Sequence, residues 1–259
     1  VLQDVVATAD GIYVRALDDG VHRLLYLPDG RLPARPVALE PATLRDLRPS
    51  ADGRRVTLAV VTWTHDARYV AVEAGVARPL GPTSASSPAG AAVEVLRDEA
   101  TSADGTRVPL TILARRGAAR DGERPTVLDG YGSYGLVTTP FHFPPVLVWV
   151  ARGGVFAHCG VRGGGERGRA WHEGGRSANK PNAQADLVAC AERLVALGLT
   201  TPARLAVTGT SAGGLLAPPA ALRRPDLFRV LFSDAWVTDV LTRTEPRSLL
   251  WGSRIIAIP

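Results

Sequence analysis

A short apolar segment, Arg204-Leu205-Ala206-Val207-Thr208, runs directly into Gly209-Thr210-Ser211-Ala212-Gly213-Gly214 and then into small residues that suit the start of a helix. Few folds accept that order. A strand that reverses through a serine and enters a helix forces the serine backbone into a strained conformation whose neighbours must lack bulk, and Gly209 and Gly213 meet that requirement. The turn holds the Ser211 hydroxyl out over the end of a sheet, at a helix N-terminus. There the dipole and the Ala212 backbone N–H can receive negative charge developing on an oxygen. Glycine turns are common in a chain with 27 glycines, so it is the strand placed immediately before the serine that makes Ser211 a candidate nucleophile.

The remaining pattern divides the chain in two. From Gly11 to about Gly81, short alternating segments at 12–17, 21–27, 56–63 and 69–74 are separated by Asp-Gly pairs at 19–20, 29–30 and 52–53. This reads as one antiparallel hairpin after another. Residues 82–92, PTSASSPAGAA, have the composition of a linker. Beyond them, apolar runs at 108–114, 125–130 and 153–161 alternate with a segment at 185–197 whose apolar positions recur every three or four residues. Buried strands alternating with helices predict an α/β domain on a mostly parallel sheet over 93–259.

Composition removes several alternatives. With 46% apolar residues the chain can bury a core, which argues against disorder. The net charge is +5, but the arginines are scattered singly, Lys180 is the sole lysine, and no basic stripe suggests a nucleic-acid partner. No run reaches the roughly 18 apolar residues of a membrane helix. Cys159 and Cys190 lie in apolar surroundings and are expected as buried thiols. The chain opens at Val1 inside a strand-like region and contains no methionine, so a native start is expected upstream, and localisation stays open between cytoplasm and periplasm.

Four blocks in order, DGTRVPLTI (104–112), GYGSYG (130–135), RGGGERGRAWHEGG (162–175) with NKPN (179–182) and Asp186, and GTSAGGLL (209–216) with RRPDLF (223–228), give the chain a family resemblance. Over about residues 95–240 it resembles the prolyl oligopeptidase family of serine peptidases. In that family a β-propeller caps an α/β-hydrolase domain. The resemblance therefore implies that residues 1–81 are the last blades of a propeller and that 93–259 form a truncated α/β-hydrolase domain. It implies cleavage of short peptides through an acyl-enzyme at Ser211, with no cofactor and no metal, and says nothing of oligomeric state. An esterase or acyl-peptide hydrolase on the same fold, or a non-catalytic protein binding a partner through its blades, are the alternatives.

The resemblance assigns roles by position. Tyr131 matches the tyrosine whose hydroxyl joins the Ala212 N–H in the oxyanion hole, and Tyr134 falls where an aromatic residue lines the pocket before the scissile bond. Arg162, Gly163, Gly164, Gly165 and Glu166 resemble a phosphate loop on paper, but no nucleotide-site lysine or hydroxyl follows at the required spacing, so a tight structural loop beside the site is expected. His172 is expected to be structural, and Asp186 a first-turn acid or loop anchor. In an α/β-hydrolase the acid and base follow the serine. All five histidines, at 22, 65, 142, 158 and 172, precede Ser211, and neither Asp226 nor Asp239 sits where the acid should. The chain as given is thus expected to be inactive. Pro218 and Pro219 should break the helix behind the elbow, and the stretch from about Glu245 to Pro259 departs from the family pattern.

Overall fold

A computed structural model describes residues 1–81, 88–234 and 254–258, which fall into two compact units. The first holds residues 1–91 and 138–147. Its strands β1 (Leu2–Thr8), β2 (Gly11–Asp18), β3 (Val21–Pro28) and β4 (Arg35–Pro36) form one antiparallel sheet in chain order. Strands β5 (Thr43–Pro49), β6 (Val56–Val61), β7 (Arg68–Glu73) and β8 (Val76–Pro79) form a second with the same layout. The hairpins close as their turn residues dictate. Asp19 and Gly20, between β2 and β3, both have positive φ (47° and 80°), and so do Ala74 and Gly75, between β7 and β8 (48° and 76°). A two-residue loop with this conformation matches the right-handed twist of the strands it joins.

Inward-facing Tyr13, Leu24, Leu44, Val56, Leu58 and Val72 make this unit's core, with the rings of Tyr13 and Tyr26 stacked 4.9 Å apart. The segment 138–147 belongs here because Thr43 Oγ1 donates to the Pro140 carbonyl and Trp63 packs its ring 5.0 Å from Phe141. Sequence pattern alone assigns that segment to the second domain, since no periodicity marks a return of the chain.

The second unit, 92–137 with 148–259, follows a short helix α1 (Pro88–Ala91). Its strands are β9 (Val93–Thr101), β10 (Arg107–Arg115), β11 (Thr126–Gly130), β12 (Val155–Cys159), β13 (Leu205–Thr210), β14 (Val230–Asp234) and β15 (Arg254–Ala257), in the sheet order β15-β14-β13-β11-β12-β10-β9. Helix α2 (Pro144–Ala151) precedes β12. Between β12 and β13 come α3 (Arg169–Glu173) and α4 (Lys180–Ala196), and α5 (Ala217–Arg223) follows β13. The sheet is mixed, not mostly parallel: β12, β11, β13 and β14 are parallel, whereas β9, β10 and β15 pair antiparallel. The β9–β10 connection is a tight turn at Ser102–Thr106, with Gly105 at φ 84°, too short for the crossover a parallel pair needs.

One sheet face, built from Leu110, Ile112, Leu128, Ala157, Leu205 and Val207, packs against Ala183, Leu187 and Leu194 of α4 and Ala217 and Ala220 of α5. Within that layer Cys159, at the end of β12, is disulfide-bonded to Cys190 of α4. This corrects the expectation of separate thiols. Apolar surroundings report burial, but only the fold sets the two Cα atoms 6.2 Å apart, inside bridging range. Among the described residues no helix is long and apolar enough to cross a membrane. Residues 82–87 of the proposed linker, Asp239 and most of the stretch from Glu245 lie outside the described residues.

Candidate active site

Ser211 has φ 54°, a left-handed backbone that a side chain adopts only when its surroundings impose it. The constraint is visible in the packing around it. A Cβ at Gly209 would lie 2.9 Å from the Gly130 carbonyl oxygen and 3.0 Å from that of Gly213, so only glycine lets β13 end this close to β11. Residues Ser211–Leu215 then make one 3-10 turn in which Ala212, Gly213 and Gly214 are buried. The chain breaks at Leu216 (φ −112°, ψ −65°) and restarts as α5 with Pro218 and Pro219 in its first turn. The break expected from the prolines is present. It costs little, because a first-turn proline gives up an N–H that no helical partner would have used.

The sheet order gives this turn its setting. From β11 the chain moves outward to β12, then crosses back to β13 and continues outward on the other side to β14, so β11 and β13 flank a reversal in strand order. In open α/β sheets, ligands bind in the crevice beyond the carboxyl ends of such a pair. The register pairs Asp129 with Thr208, which sets Tyr131 and Ser211 both just past the carboxyl ends of neighbouring parallel strands. Tyr131 is half-buried, and its hydroxyl is held above the usual phenol range by burial first and by Tyr134 second. Tyr134, at φ 58°, is 73% exposed with its ring 6.4 Å from that of Tyr131.

Beneath this loop lies a lattice of support. The Gly135 N–H donates to Gly163 O (3.1 Å), and the Gly163 N–H to Trp171 O (3.0 Å). Arg162 is fixed by Asp186: its backbone N–H and Nε donate to Oδ2 (3.0 and 2.9 Å) and its Nη2 to Oδ1 (2.6 Å). Arg162 Nη1 also reaches Asp104 (2.5 Å), whose carboxyl is lowered to about 2, chiefly by that bond. Asp186 is fully buried well inside α4, so it is an anchor for the 162–166 loop and not a first-turn acid. His172 Nδ1 donates to Gly163 O at 2.8 Å, which fits the structural role expected of it.

Three contributors escape the sequence pattern. Lys180 Nζ donates to Gly132 O (2.6 Å) and Ser133 Oγ (3.1 Å). Asp104 is visible only as part of a motif. Asp129 and His158, at matching register on β11 and β12, form a pair at 2.8 Å. Composition gives no hint of any of these, although the uniqueness of Lys180 is a signal in retrospect.

Residues 141–259 match the prolyl oligopeptidase family. The match includes the stretch from Glu245, so its separation from the family pattern does not stand. The chain is similar to a prolyl endopeptidase of Elizabethkingia miricola (38% identity over 141 residues, 54% of this chain and 20% of the relative). It is also similar to protease 2 of Moraxella lacunata (40% over 143 residues, 55% and 21%). The chain thus spans about a fifth of the length of these curated relatives. Among solved structures, oligopeptidase B from Trypanosoma brucei with covalently bound antipain superposes with TM-score 0.78 at 31% identity, over 93% of this chain and 36% of that one. With a strained serine after a central parallel strand inside the matched stretch, residues 141–259 resemble the prolyl oligopeptidase family.

Proposed function

We propose that this chain supplies the nucleophile and oxyanion donors of a serine peptidase acting on short peptides, from a partial α/β-hydrolase domain preceded by two β-propeller blades. The observation that carries the reading is Ser211 at φ 54° directly after β13, with Gly209 pressed against the neighbouring strand. Attack by Ser211 Oγ forms a bond to the scissile carbonyl carbon. The hydroxyl proton passes to a base and then to the leaving amine, and water later hydrolyses the ester. The Ala212 N–H and the Tyr131 hydroxyl would take the developing oxyanion, and Tyr134 would line the substrate pocket. The two four-stranded meanders support the blade reading, since a propeller is built of such sheets.

No histidine follows Ser211 in these 259 residues, and the two in the second unit are engaged, His158 with Asp129 and His172 with Gly163 O. A polypeptide of these residues therefore lacks an activating base. The test is labelling by a fluorophosphonate probe with and without added imidazole, with Ser211→Ala as blank. Labelling is expected only with imidazole, and Tyr131→Phe should slow it by about 10²–10³, as for loss of one oxyanion donor. Labelling without imidazole would show that an internal histidine serves as base. No labelling in either condition would overturn Ser211 as a primed nucleophile.

A further inference from the structure

The loop that carries Tyr131 needs an external hold. Tyr131 stands between Gly130 and Gly132, the latter at φ 59°, and Tyr134 is followed by Gly135 at φ 64°, so little in the loop's own residues fixes its course. One side rests on Gly163 through the Gly135 N–H, and a Cβ at Gly163 would lie 2.2 Å from Gly132 O, so the two backbones are in direct contact. Among the described residues, a side chain holds the other side. Lys180 Nζ reaches the Gly132 carbonyl at 2.6 Å and the Ser133 hydroxyl at 3.1 Å, the residues immediately after Tyr131.

Lys180 is the first residue of α4, where a cation opposes the helix dipole, so helix stability does not explain it. It is the one lysine in a chain whose other basic side chains are arginines, and it meets two acceptors with a compact, three-donor tip that a planar guanidinium cannot reproduce. We propose that Lys180 is a positioning residue that clamps the 131–135 loop so that Tyr131 and Tyr134 are held for the chemistry at Ser211. This rests on the peptidase reading for its purpose, though not for its geometry.

The clamp should release in alkali, because burial lowers the Lys180 ammonium to about 8. On the supporting 162–172 segment, Arg162 is taken up by Asp186 and Asp104, and His172, whose ring would lie 3.5 Å from a Cβ at Gly135, donates its Nδ1 to Gly163 O. The loop itself offers only the phenols of Tyr131 and Tyr134, and that of Tyr131 titrates above its ordinary range.

The test follows the loop without using turnover. The 259-residue chain carrying 13Cζ-tyrosine is titrated by NMR from pH 6.5 to 10, with Tyr131→Phe and Tyr134→Phe assigning the two signals. Both signals should move together with a midpoint near pH 8, and exchange protection at the Gly135 amide should fall roughly fivefold over the same range after correction for intrinsic rate. Lys180→Arg stays charged and should abolish the step near pH 8, while Lys180→Met should hold the high-pH spectrum throughout. Signals indifferent both to pH between 7 and 9 and to Lys180→Met would overturn the proposal. If Lys180→Met does not fold, the wild-type titration against Lys180→Arg decides alone. Failure of Ser211 to react would strike the peptidase reading and leave these signals unaffected.

Discussion

At the scale of single residues, the candidate site combines a feature written locally with supports that are not. Ser211 is legible because strand, glycine, serine and glycine are contiguous, and its φ of 54° is what that order forces. Asp186 carries no such mark: it becomes an anchor only when α4 is laid beside the 162–166 loop. With no exposed surface and three bonds to Arg162, it leaves a buried guanidinium stripped of its fully buried partner, with only the half-exposed Asp104 to answer its charge, if removed. Asp186→Ala is therefore expected to destabilise the second unit by about 3–5 kcal/mol, read from denaturant unfolding. A loss under 1 kcal/mol would mean that water or another acid takes the place of Asp186. Lys180 and the disulfide escaped the sequence for the same reason, since each depends on a partner many residues away.

At the scale of elements, periodicity located most strands to within a residue or two, because alternation and Asp-Gly turns are local properties. The segment 138–147 was misassigned for the opposite reason: its place depends on Trp63 and Thr43 and on nothing in its own spacing. The helix after the elbow is an intermediate case. Two prolines signalled a break, and the structure shows how the chain avoids the cost of an interior proline, about 3 kcal/mol, by starting α5 at Ala217. Pro218→Ala should then change the stability of the second unit by less than about 1 kcal/mol. A gain of 2 kcal/mol or more on thermal unfolding would show that Pro218 is strained and that the helix would otherwise run straight back to Ser211.

At the scale of the whole molecule, the two units carry different acid sensitivities. In the first, His22 is buried, its Nδ1 accepts the Leu44 N–H at 2.8 Å, and burial, followed by Arg15 and Arg45, lowers its pKa from 6.5 to about 4. The unfolded chain then binds the proton that the folded one refuses, so the stability of this unit is fully present above about pH 6.5 and is lost as pH falls toward 4. In the second, Asp104 is lowered from 3.8 to about 2, so its share is kept above about pH 4 and lost only below it. Thermal unfolding at pH 5 should thus weaken the first unit before the second, and His22→Gln should flatten the first unit's profile between pH 6.5 and 4. An unchanged profile in that variant would remove His22 as the cause.

The strand order has a consequence for how the molecule is made. β11 lies between β12 and β13, yet it is synthesised before both, so a chain leaving the ribosome holds the Tyr131 loop while one flank of its strand is still vacant. The elbow arrives with the last of the two neighbours. Until β13 slides into that vacancy, Gly209 has no carbonyl to press against and nothing compels Ser211 into its unusual backbone. On the peptidase reading proposed above, the serine would be primed by the event that closes the centre of the sheet, and a nascent or partly opened chain would carry it as an ordinary, unreactive hydroxyl.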